Sequence, residues 1–294
     1  MIHENSHQVT KRSRAIDKAS TMILWIFGIG LSLFICSLLF LILSKGLPKL
    51  NMHFILSVPE ELDEGGGIGP VLFNSFYVLV ISMVLSLPIG IGSGIYLAEY
   101  APNNKFTSAL RMCVESLASV PSIVFGLFGM AVFVDYFKIG LTILGGGVTL
   151  ALLNLPMLVR VTEEAVRGVS NELREGAYAM GVTKFQCIRT IVLPAALSRI
   201  ITGISLVAGR AYGESAVIML TAGTSTSGAM WDFNLFSPGS TLAVHLWYVQ
   251  SEAIVPDARE IADKAAAVLV FVILAINFLL RGTAWFNNRR MGQL

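Results

Sequence analysis

Apolar residues in this chain come in long uncharged runs rather than in the short alternations or amphipathic stripes of a soluble core. Residues 22–43, 71–98, 116–134 and 139–159 contain no Asp, Glu, Lys or Arg. A helix rises about 1.5 Å per residue, so roughly 20 apolar residues cross a hydrocarbon layer of about 30 Å. Each run is therefore expected to be a membrane-spanning helix. Residues 200–222 have the right length but hold Arg210 and Glu214, and residues 262–281 are uncharged only from Ala265 to Leu280. Both are expected as spans, the last beginning near Ile261 with Lys264 snorkelling toward the headgroups. The expected fold is all-α: a six-span membrane domain over residues 22–282, between tails 1–21 and 283–294.

Basic residues set the sides. Lys11, Arg12, Arg14 and Lys18 precede the first run, which exceeds the 7 to 15 apolar residues of a signal core and is followed by no A-x-A-like site. It is expected to be retained as a helix. With both termini inside, fifteen of the 21 Lys and Arg residues fall in cytoplasmic segments, and that asymmetry supports the even number of spans. The longest inside segment is then 160–199, and the longest outside one is 225–261.

Composition sharpens this picture. Hydrophobic types make up 54% and charged types 14%, with a mean hydropathy of +0.71, against about 25% charged in soluble domains. A formal charge of +2 excludes a bulk electrostatic field for nucleic acid. Cys36, Cys113 and Cys187 are odd in number and widely spaced, which argues for unpaired packing residues. His3, His7, His53 and His245 are scattered without ligand spacing and read as ordinary polar residues, so no metal site is expected. Gly65, Gly66 and Gly67 follow Glu60, Glu61, Asp63 and Glu64, so they read as loop punctuation rather than a phosphate cradle. Gly90 with Gly94, and Gly209 with Gly213, have the spacing that lets helices approach closely, and Pro88 and Pro121 are expected to kink their spans locally.

The segment 160–199 has its own pattern. Ser170 or Asn171 is placed to cap a short helix bearing Leu173, Ala177 and Met180, and Gly181 supplies a left-handed stop. Thr183 and Gln186 have capping-box spacing for a second helix presenting Phe185, Ile188 and Ile191, which Pro194 is expected to end. From amphipathicity alone, the pair reads equally as a connector or as a docking element. Sparse basic residues and anchorage at both ends argue against a DNA-binding helix-turn-helix.

Glu175, Gly176, Ala177, then Gly181, then Ile191, Leu193 and Pro194 match the spacing E-A-A, three residues, G, nine residues, I-x-L-P. In this the chain resembles permease subunits of ABC importers, with Gly176 departing from the usual Ala at a helix cost of about 1 kcal/mol. NSFYVLVISMVLSLPIGIGSGIYLAEYAP, VESLASVPSIVFGLFGM, GRAYGESAVIMLTAG and TLAVHLWYVQSEA are similar to phosphate importer permeases, and to the PstA type more than the PstC type. The resemblance implies a type I ABC importer permease fold and a cytoplasmic coupling helix pair that docks on an ATPase. It implies a prokaryotic inner-membrane location, a PstC-type companion, two ATP-binding subunits and an external phosphate-binding protein, with inorganic phosphate as cargo. No G-x-x-x-x-G-K-[ST] occurs, so ATP and Mg2+ are expected on the partner and no cofactor on this chain.

An ionised Arg210 inside a span costs at least about 2.5 kcal/mol unless it is paired or wet. Glu214 lies one helical turn on and is expected to pair with it. The pair reads either as a packing lock or as a resting state from which Arg210 offers its fork to an oxyanion. Arg160, after Pro156, reads as a topology anchor or an inner-mouth guide, and Glu99 and Tyr100 read as boundary residues first and coupling residues second. Molybdate or sulfate as cargo, an ion-coupled secondary transporter and a phosphate-sensing scaffold are the rival readings.

Overall fold

The computed structural model describes residues 2–60 and 64–290; Glu61 and Asp63 of the acidic stretch lie outside the described residues. The described chain is helical apart from one isolated bridge between Thr226 and Gly239. Its helices are α1 (Ile2–Gly46), α2 (Met52–Leu56), α3 (Gly69–Ile95), α4 (Lys105–Ala118), α5 (Ser122–Gly129), α6 (Ile143–Arg167), α7 (Asn171–Ala179), α8 (Lys184–Cys187), α9 (Leu193–Tyr212), α10 (Ala216–Thr221), α11 (Leu242–Ser251) and α12 (Ala258–Arg290). Five segments are long and apolar enough to cross a membrane: 16–49, 69–100, 143–167, 184–212 and 258–283.

The third expected span is a sixth only if a bent pair is counted, because α4 and α5 meet at 92°. The turn falls at Ser119–Val120–Pro121. Proline has no amide for the ladder and restricts the residue before it, while Lys105, Arg111 and Glu115 give α4 a polar face unsuited to lipid. The fifth expected span is also interrupted, at Gly213 to Ser215, between α9 and α10.

Pro194 does not end its helix. A π turn over Ile188–Val192 precedes it, in which the Leu193 amide reaches back five residues to the Ile188 carbonyl. Widening the turn makes room for the proline ring, so α8 runs into α9 as one apolar segment from Lys184 to Tyr212.

At the centre, α3 lies against α6 with glycines at the contact. A Cβ on Gly90 would come within 2.6 Å of Leu158 Cβ, and one on Gly94 within 2.6 Å of Thr162 Cβ. Such close approach gains dispersion contacts where no hydrophobic force acts between helices in lipid. Gly209 and Gly213 face α12, at Asn277 and Ile273. Three apolar clusters stack along the bundle: Phe54, Val71, Leu242 and Ile261 at one end, Val78, Leu150, Tyr212 and Ile218 in the middle, and Val166, Ala177, Cys187 and Ala196 at the other. All three cysteines are free.

Candidate functional site

The helix pair between α6 and α9 forms as the glycine and cap residues dictate. Gly181 adopts φ +76°, the left-handed turn that separates α7 from α8. Thr183 and Gln186 form a full capping box on α8, while Ser170 occupies the N-cap of α7 without a side-chain cap bond. Ala177 is buried against the end of α6, and Cys187 and Ile188 anchor the second helix. The remaining apolar side chains turn outward: Met180 is 83% exposed, Phe185 64% and Leu173 46%. Phe185 and Ile188 therefore do not share a face. Glu175 and Gly176 are exposed, and the space around Gly176 is open enough for a methyl group. Ile191, Leu193 and Pro194 line the partly buried root of the pair.

Residues distant in sequence hold this pair in place. Arg174 donates from Nε and Nη2 to Glu99 Oε1 at 3.1 and 2.7 Å, from Nη2 to the Val166 carbonyl at 2.9 Å and from Nη1 to the Val169 carbonyl at 2.6 Å. Lys184 sits 5.0 Å from the centre of the Tyr100 ring. Beside it, Arg111 donates to Glu163 at 2.7 Å and to the Leu97 carbonyl at 2.9 Å, and Arg167 also reaches Glu163, at 3.2 Å. Arg160 pairs with Glu164 on the same helix at 2.9 Å, with both side chains about half exposed or more. A cavity of about 160 Å³ opens among Arg111, Arg160, Arg167, Glu115, Glu163 and Glu164. Burial, then nearby Cys187 and Glu99, push the Tyr178 hydroxyl up from its ordinary value.

The second candidate group lies deeper. α9 and α10 run antiparallel to α6, with Gly203 against Val161 and the Thr221 carbonyl accepting from the Thr142 amide at 3.0 Å. Arg210 lies between those levels, near the middle of α6. It is exposed on the surface of the single chain and makes no ion pair with Glu214 among the described residues. The helix break is the reason: Gly213 ends α9, so Glu214 no longer stands one turn above Arg210 on a shared face. Glu214 instead accepts from the Val217 amide at 3.4 Å at the start of α10, while Arg210 occupies the last turn of α9. Each charge thus sits at the helix end whose dipole favours it.

His245 is the residue whose setting the sequence least reveals. It is 7% exposed, its Nε2 has no hydrogen-bond partner among the described residues, and burial pushes the imidazole down to about 4. It borders a cavity of about 340 Å³ with Thr224, Thr226 and Tyr248. The apolar neighbours Val244 and Leu246 are the signal that could have found it.

Comparison with known proteins agrees with this architecture. The family model described as binding-protein-dependent transport system inner membrane component matches residues 90–293. The probable ABC transporter permease protein YqgI of Bacillus subtilis (strain 168) is 40% identical over 275 residues, covering 90% of this chain and 94% of its own. The phosphate transport system permease protein PstA of Haemophilus influenzae is 32% identical over 247 residues, covering 84% and 86%. Among solved structures, a chain of the inward-facing MetNI methionine ABC transporter has a TM-score of 0.58 at 19% identity, over 74% of this chain and 96% of that one. A bacterial ABC transporter involved in alginate import gives 0.59 at 14% identity, over 90% and 92%. The two structures share the fold, and the family match and the sequence relatives carry the assignment. The chain belongs to the binding-protein-dependent transport system inner membrane component family and is a membrane permease subunit of an ABC importer.

Proposed function

We propose that this chain forms half of the translocation path of an ATP-driven inorganic phosphate importer and couples to its ATPase subunits through the α7–α8 pair. The observation that carries the coupling is the outward apolar face of Leu173, Met180 and Phe185 on a helix pair that is otherwise anchored by Ala177 and Cys187. Such a face, with Glu175 beside it to fix register, suits a groove on a partner. The Lys and Arg distribution supports placing this end and both termini on the cytoplasmic side. ATP and Mg2+ belong to two partner ATPases, a PstC-type permease supplies the other half of the path, and an external binding protein delivers the anion.

Similarity to PstA proteins supports phosphate as cargo. Arg210 fits that role: an exposed guanidinium at mid-depth is too costly to face lipid, so its face lies against water or the companion permease. Unpaired from Glu214, it is free to offer two parallel N–H donors to an oxyanion in passing. We assign Arg160, half exposed beside Glu164, to guiding the anion at the cytoplasmic mouth.

Uptake of labelled phosphate by the assembled transporter tests this reading. We expect a hundredfold excess of sulfate or molybdate to leave it unchanged, and Arg210→Gln to lower it by about tenfold or more with the ATPase still bound. Competition by either anion would contradict phosphate, and unaltered uptake by Arg210→Gln would remove that residue from the path.

A further inference from the structure

Taking the α7–α8 pair as the ATPase docking element, we infer that Arg174 is the positioning residue that fastens it to the transmembrane helices, with Glu99, in the turn that follows α3, as its anchor. Adjacent residues on α7 divide the work. Glu175 points outward and is exposed, whereas Arg174 turns inward, its side chain 13% exposed and that of Glu99 8%.

The Arg174 guanidinium joins three segments at once. Nε and Nη2 hold Glu99 beyond the end of α3, Nη2 also holds the Val166 carbonyl in the last turn of α6, and Nη1 holds the Val169 and Ser170 carbonyls of the link into α7. A planar fork with five donors makes this set in one rotamer, and an ammonium does not. Glu99 is presented from a π turn over Tyr96–Tyr100, closed by the Ala101 amide on the Tyr96 carbonyl. The Lys184 ammonium over the Tyr100 ring ties α8 to the same turn. Displacement of the docked pair is therefore delivered to α3 and α6 together, which the contacts at Gly90 and Gly94 hold as one body. Farther along, α3 carries Phe76 against Tyr212, with ring centres 5.2 Å apart, two residues beyond Arg210. Movement of α3 thus reaches the break between α9 and α10.

The assembled transporter in proteoliposomes, carrying Glu99→Gln, Arg174→Gln or Arg174→Lys, tests this through three readings: ATPase co-purification, ATP hydrolysis, and phosphate taken up per ATP hydrolysed. For both Gln variants we expect retained ATPase, hydrolysis within about twofold of the parent, and uptake per ATP reduced about tenfold or more. Arg174→Lys should fall between, since it keeps the charge opposite Glu99 but loses the carbonyl fork, and it carries the test if the neutral variants fail to assemble. Uptake and hydrolysis falling in proportion, with an unchanged ratio, would overturn the inference and leave Arg174 merely structural. Failure of the docking reading itself shows separately: Leu173→Asp with Met180→Asp would then leave ATPase co-purification unchanged.

Discussion

At the end of the bundle that carries α7 and α8, the buried carboxylates are paired: Glu99 with Arg174, and Glu163 with both Arg111 and Arg167. At the opposite end most buried polar groups are neutral, although Lys264 is only 13% exposed and Asp257 Oδ1 is buried. There Asn74 donates to the Ser240 carbonyl at 3.3 Å, the Leu242 amide donates to Ser75 Oγ at 2.7 Å, and Ser240 Oγ, Thr241 Oγ1 and His245 Nε2 have no protein partner. The ion pairs at that end, Lys49 and Lys264 with Glu260, involve a carboxylate that is 46% exposed. The difference is mechanical. Breaking a buried ion pair by losing one partner is strongly unfavourable, so charged ties hold elements in register under load. A hydroxyl exchanges one partner for another at a net cost of about 1 kcal/mol, so neutral ties hold their elements less firmly.

The largest effect should come from breaking the charged end. Arg111→Met strips one of two cations from a Glu163 carboxylate that is 11% exposed, and is expected to destabilise the chain by about 3 kcal/mol, the low end for such losses because Arg167 remains. Thermal unfolding in detergent measures it, and Glu163→Gln in the same background should recover part of the loss.

The neutral end is sharpened by pH. Burial holds the folded His245 at about 4, below its ordinary 6.5, so the folded chain keeps the imidazole neutral where the unfolded chain protonates. The resulting stability is complete above about pH 6.5 and is lost as pH falls toward 4, at no more than about 1.4 kcal/mol per unit. The thermal midpoint of the parent should therefore drop more between pH 7 and pH 5 than that of His245→Gln. Equal drops would show that the imidazole does not sense the burial.

The smallest effect is expected at Arg160. Its pair with Glu164 is a solvent-screened, half-exposed i,i+4 contact, so Arg160→Ala should leave the midpoint almost unchanged. A lowered phosphate uptake in that variant, with the midpoint intact, would assign Arg160 to the inner mouth.

Much of this arrangement was legible from local chemistry. Long uncharged runs located the helices, and Gly181 with the Thr183 and Gln186 box located the turn and restart of the α7–α8 pair. What escaped is decided by long-range packing. Pro121 was legible as a kink, but the 92° turn of the chain there was not, and the break at Gly213 lies inside an apolar run whose composition does not change. Pro194 read as a stop because a π turn upstream leaves no mark in composition. The Arg174 clamp joins residues 75 positions apart, and nothing local to either one names the other. Arg210 and Glu214 misled through their spacing, since an i,i+4 pair exists only while the helix between them is continuous.

The most direct measurement is labelled phosphate uptake into proteoliposomes holding either this chain alone or the full assembly of both permeases, ATPase and binding protein, with and without ATP. Uptake is expected only in the full assembly and only with ATP. Uptake by the chain alone, driven by an ion gradient, would contradict it.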